Sequence, residues 1–219
     1  MPQEDSPKRY EKFYREIVRP LTREKRYRDV CDLLTKKLDV ETDPEFRFEL
    51  IPDLCVYLTQ VGDGDACLHW ATVLTEEFDD RPLAWSNMAI FGVGARHNRP
   101  LDETENLQRL GYYEIALDRA RKCDQWVRDA LFDICRLVTS LQDYDQHEAY
   151  MREIIADLEN EREIDIPFLE DDWLKRVPAG MMDEDLRRTY QALVIADKAR
   201  RRAASEESVP TRKQLDKFL

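Results

Sequence analysis

Apolar residues recur every three to four positions from about residue 8 to residue 160, and short polar or proline-bearing stretches interrupt the pattern. That period is the signature of amphipathic helices, since side chains three and four apart share one helical face. It predicts helices near 8–21, 26–38, 45–61, 65–78, 82–96, 107–123, 125–141 and 144–160. ETDP at 41–44 and DDRP at 79–82 suit helix starts, because an Asp side chain accepts bonds from free backbone amides and Pro fits a first turn.

The helices come in pairs, and the first members share a stripe. Ile51, Leu54, Cys55 and Leu58 recur 34 residues later as Trp85, Met88, Ala89 and Gly92. The same spacing joins Tyr14, Ile17, Val18 and Leu21, and also Leu131, Ile134, Cys135 and Val138. Second helices add Cys67, Ala71 and Leu74, then Ala116, Ala120 and Cys123, then His147, Met151 and Ile154. Over residues 8–160 this arrangement resembles the tetratricopeptide repeat, a pair of helices repeated every 34 residues. The pattern departs from the family in three respects. Val18, Cys55, Ala89 and Cys135 stand where the family has glycine, and Lys37 interrupts the first unit. The third unit carries about 15 additional residues, including HNRPLDETEN. The resemblance implies an all-α, TPR-like helical-hairpin solenoid of about four helix pairs. An irregular helical bundle is the alternative, since any amphipathic helix carries such a stripe.

Beyond residue 161 the pattern changes. IDIPFLEDDWLKRVPAGMM reads as a connector with apolar anchors at Ile166, Phe168, Leu169 and Trp173. A helix from about Asp183 to Arg202 follows, with Leu186, Tyr190, Leu193 and Val194 on one side, suited to capping the exposed end of a solenoid or to docking on a partner or a second copy. The expected organisation is a helical-repeat domain at 1–163, then connector, capping helix and basic tail at 164–219.

Composition narrows the class. Six glycines among 219 residues and 37% charged residues suit helices with solvated outer faces and disfavour an all-β chain. No apolar run reaches the roughly 18 to 20 residues that span a bilayer, and MPQEDSPKRYEKFYRE has no secretory apolar stretch, so a cytoplasmic protein is expected. The odd cysteine count, without a CxxC pair, reads as reduced core residues. Residues 29–195 carry 18 Lys and Arg against 37 Asp and Glu, between two mildly basic ends. Such a body repels nucleic-acid phosphate and favours a protein or peptide partner with basic segments.

Catalytic and metal signatures are weak. Asp63, Asp65, His69, Glu76 and Glu77 are close in sequence, but an EF-hand counted from Asp63 puts Leu68 at the glycine position and Leu74 at the twelfth. Asp65 reads better as a helix cap and His69 as a surface residue. His69, His97 and His147 fall in no nucleophile or metal motif, and no glycine stretch precedes GK[ST]. KARRR at 198–202 lacks interleaved aromatics and reads as a helix C-terminus. The expectation is no enzyme, no cofactor, no metal, no nucleic acid and no membrane.

The resemblance also implies a concave face lined by the first helices. It places Lys12, Arg15, Arg19 and Thr22 there, then Glu49, Pro52, Val56 and Thr59, then Leu83, Ser86, Ile90 and Val93, and finally Asp129, Phe132, Arg136 and Thr139. Asn87 matches the central Asn of the family's carboxylate clamp, but Asp129 and Asp133 stand where that clamp needs Lys and Arg. The implied groove is basic at one end and apolar centrally, and binds a peptide as an adaptor, chaperone or regulator. Self-association through Tyr190 and Leu193, giving a homodimer, is the alternative.

Overall fold

In the computed structural model the described residues are 6–94, 100–160, 177, 178 and 180–208. Among them every regular element is a helix. We number nine. α1 comprises Ser6–Phe13, a π-helical stretch Tyr14–Val18 and Arg19–Arg23. α2 is Tyr27–Leu38, α3 Pro44–Val61 and α4 Gly64–Glu77. α5 comprises Pro82–Asn87 and a π-helical stretch Met88–Val93. α6 is Glu103–Cys123, α7 Val127–Ser140, α8 Tyr144–Asn160 and α9 Glu184–Ser208.

Local chemistry sets these boundaries. Asp43 caps α3 by accepting from the Glu45 and Phe46 amides, with Pro44 in the first turn, and Gly62 ends the helix at φ 75°. That left-handed cap costs a residue without Cβ little. α4 is capped by Asp63, whose side chain accepts from the Ala66 amide, and not by Asp65. α6 begins four residues before its expected start, on a capping box in which Asp102 and Glu105 each accept from the other's amide.

The first π-helical stretch has a local cause. Pro20 has no amide hydrogen for the Glu16 carbonyl and its ring crowds that turn. The chain widens just before it, and the Arg19 amide reaches back to the Tyr14 carbonyl. One extra residue in the turn shifts the register, so Ile17, expected in the buried stripe, is exposed while Val18 is fully buried.

The chain divides into two compact units, Met1–Ala130 and Leu131–Leu219, with the division inside α7. In the first unit α2 packs on both α1 and α3, and α4 packs on both α3 and α5. First helices also meet directly, α1 with α3 and α3 with α5, and α5 packs on α6. Val18, Val30, Leu34, Leu50, Ile51, Leu54, Cys55, Cys67 and Leu74 form a core with almost no exposed surface. Burial of such side chains stabilises by about 1.5–3 kcal/mol each.

Ion pairs tie the corners of this unit. Arg9 donates to Asp43 at 3.0 Å and Glu41 at 3.1 Å, and Ser6 donates to Asp43. Lys37, an interruption of the sequence pattern, reaches Glu41 at 2.8 Å and lies over the Phe46 ring. Arg47 holds Glu77 through two nitrogens and also donates to the Leu38 and Glu41 carbonyls. Arg81 pairs with Glu45 and covers the Phe48 and Phe78 rings.

In the second unit α9 packs on α8, burying Met151, Ile154, Leu186, Tyr190 and Val194. Asp183 caps α9 through the Leu186 amide, and its own amide donates to Glu148 at 3.0 Å. Arg187 donates to the Val177 and Pro178 carbonyls. Tyr190, an expected self-association residue, is fully buried within its own chain. The expected boundary at 163–164, the anchors Ile166, Phe168, Leu169 and Trp173, His97, and the tail from residue 209 lie outside the described residues.

Candidate partner-binding face

Three of the first helices, α1, α3 and α5, meet side by side in the first unit. Their outward positions carry the largest set of residues expected to bind. Arg15 and Arg19 are exposed on α1, Thr59 and Val56 are exposed on α3, and Ser86 and Asn87 are half-buried on α5. Val56 is 42% exposed and Ile90 38%, so two apolar side chains 34 residues apart occupy matching solvent-facing places on adjoining helices. On α1 Ile17 is 46% exposed, brought outward by the π-helical stretch, but the position matching Val56 and Ile90 is Arg19.

Several of these groups already have local roles. The Thr59 hydroxyl donates to the Cys55 carbonyl at 2.9 Å, and the Asn87 amide nitrogen donates to the Leu83 carbonyl at 2.7 Å. Arg15 pairs with Glu16 at 3.5 Å, an exposed contact worth little. Val93 is 6% exposed and turns toward a cleft of about 130 Å³ lined with Leu68, Met88, Gly92, Glu105, Gln108 and Tyr112. That volume is well below the roughly 300–1,000 Å³ of pockets for drug-sized ligands. On α7, where the chain passes from one unit to the other, Asp129 is exposed and Phe132 is 7% exposed. Arg136 is exposed there and faces Asp133 at 3.8 Å.

A polar ladder beneath the face joins α1 to α3. Tyr10 donates to Asp53, the Tyr14 and Tyr57 hydroxyls are 3.1 Å apart, and Thr22 donates to Tyr57 at 3.1 Å. Burial pushes the Tyr10 hydroxyl up, with Asp53 adding to the effect, and pushes Tyr57 up to about 12. Burial also raises the carboxyls of Asp53 and Glu49. Tyr10 therefore stays protonated and donates to Asp53, and the three contacts tie α1 to α3.

Elsewhere, four of the five cysteines are buried, and Cys123 at the end of α6 is exposed, against expectation. Burial raises the thiols of Cys55 and Cys67, and takes Cys31 to about 11. His147 is fully buried on α8. Burial, and then the nearby Arg187 guanidinium, lowers its imidazole to about 4. Among the described residues no group of three or more His, Cys, Asp and Glu is arranged to hold a metal ion, and no helix is long and apolar enough to cross a membrane.

No family model, no curated protein and no solved structure matches the chain.

Proposed function

We propose that this chain is a protein- or peptide-binding scaffold of the cytoplasm, an adaptor, chaperone or regulator built on TPR-like helical hairpins. The observation that carries the reading is the pair Val56 and Ile90, exposed at positions 34 residues apart on adjoining helices. Apolar side chains so placed lose water when a partner covers them, at about 25 cal/mol per Å² of apolar surface. The packing order supports hairpins: each of α2 and α4 is seated on the first helix before it and the one after it, while first helices touch one another. That is how stacked two-helix repeats bury a continuous core and leave one face of first helices open. The polar ladder between Tyr10, Asp53, Tyr14 and Tyr57 gives that face a rigid floor.

The test is capture of partners from the native cytosol by the wild-type chain and by a variant carrying Val56→Asp and Ile90→Asp, read by mass spectrometry. Both side chains already meet solvent, so the variant retains its circular dichroism and Tm. A protein held by the wild type and lost with the variant supports the scaffold reading. Partners held equally by both would place recognition elsewhere, and no captured protein would count against a binding scaffold.

A further inference from the structure

Charge on α1, the helix adjoining α3, narrows what binds. Lys12, Arg15, Arg19 and Arg23 follow one another along α1 at intervals of three and four residues, and all are exposed. Among the described residues Lys12, Arg19 and Arg23 form no ion pair, and Arg15 has only its exposed contact with Glu16. The carboxylates nearest this stripe in sequence are Glu11, Glu16 and Glu24, of which Glu24 pairs with Arg26, and the adjoining α3 carries Glu45, paired with Arg81, Glu49 and Asp53. Asp53 is half-buried and accepts from Tyr10. On α5 the outward residues Leu83, Ser86, Asn87 and Ile90 bear no charge.

We infer that the partner presents an extended segment in which side-chain carboxylates meet Lys12, Arg15 and Arg19, while two apolar side chains cover Val56 and Ile90. The inference rests on the binding-face reading above and differs from the partner expected from composition: the chain's acidic total favours a basic partner at long range, but at physiological salt charge acts over roughly 8 Å, so the local stripe is given the greater weight. Helix axes in contact lie about 8–10 Å apart, and a segment in the polyproline-II conformation advances about 3.1 Å per residue with every third side chain on one side. Such a segment crossing α5, α3 and α1 therefore presents a side chain to a new helix about every third residue. The recognised pattern is an apolar residue, two of any kind, a second apolar residue, two of any kind, then Asp or Glu, read in either chain direction. Because side-chain carboxylates are bound, a terminal carboxylate is not required.

The probe is a random twelve-residue peptide library displayed with blocked C-termini and selected on the full-length protein. Enriched peptides are resynthesised as C-terminal amides and titrated against wild type, Arg15→Glu with Arg19→Glu, and Val56→Asp with Ile90→Asp. All variants are first checked for unchanged Tm. The expected result is acidic peptides with apolar residues three apart. Their affinity falls about tenfold on charge reversal, since an exposed pair worth up to about 1 kcal/mol becomes a repulsion, and falls again as salt is raised. Peptides sensitive to Val56→Asp with Ile90→Asp but neutral or basic, or indifferent to the arginine changes, overturn the acidic assignment and leave the face standing. A library yielding no peptide that depends on Val56 and Ile90 overturns both. A wild-type dimer dissociated by the Val56→Asp, Ile90→Asp variant assigns the face to a second copy and likewise overturns the inference.

Discussion

Lowering the pH from 7 to 5 should cost the second unit about 2 kcal/mol through one side chain, His147. The imidazole has no exposed surface, and burial beside Arg187 lowers it to about 4 from an ordinary 6.5. A histidine with a depressed folded value is protonated more readily in the unfolded chain. Its contribution is therefore complete above about pH 6.5 and is lost as the pH falls toward 4. Glu148, held low chiefly by Arg152, loses its contribution only below the ordinary carboxylate range, and so leaves the window between pH 5 and 6.5 to the histidine. Glu49 and Asp53, both raised by burial, lie in the first unit and act in the opposite sense. The assay is urea unfolding followed by hydrogen exchange of α8 and α9 amides at pH 7 and pH 5, for wild type and His147→Gln. The wild type should lose about 2 kcal/mol more than the variant over that interval. An equal loss in both would refute the buried, neutral imidazole.

Four further outcomes follow from packing and caps. Leu54→Ala, at a site with no exposed surface, should lower stability by about 3 kcal/mol in chemical unfolding. Asp43→Ala removes the α3 cap together with the Arg9 and Ser6 contacts, and should lower Tm by a few degrees, an effect that Asp43→Asn partly restores. Of the five thiols only Cys123 should react promptly with a thiol reagent in the folded chain, and the four buried ones should react on unfolding, counted by absorbance. Arg47→Ala strands Glu77 and the Leu38 carbonyl, and should cost about 1–2 kcal/mol by urea titration.

The helices and most of the core follow from period alone. Ile51, Leu54, Cys55 and Leu58, chosen from their spacing, are all buried, as are Leu131, Ile134, Cys135 and Val138. Spacing fails where the helix itself changes pitch. The Tyr14–Val18 and Met88–Val93 stretches each add a residue to a turn, which brings Ile17 out and Val93 in. Pro20 is the sequence signal for the first of these, and no comparable proline accounts for the second. The resemblance puts Phe132 on the face, but α7 is apolar at 131, 132, 134, 135, 137 and 138, an arc too wide to leave one edge in water. The start of α6 is legible in the spacing of Asp102 and Glu105, a capping box lying inside the additional residues of the third unit. Cys123 carries the helical spacing of a core residue, yet the last turn of α6 projects past the core before Asp124 reverses the chain at φ 54°. The exposure of Val56 and Ile90 depends on which helices touch, and that pairing is tertiary information.

The central claim is that a partner covers α1, α3 and α5 along the line of Val56 and Ile90. The most direct measurement is methyl and amide NMR of the labelled chain as a captured partner, or a selected peptide, is titrated in. Shifts are expected at Val56, Thr59, Ser86 and Ile90, with the buried methyls of Leu34 and Leu74 on α2 and α4 little changed. Shifts confined to the cleft at Leu68 and Tyr112, or to α9, would contradict it.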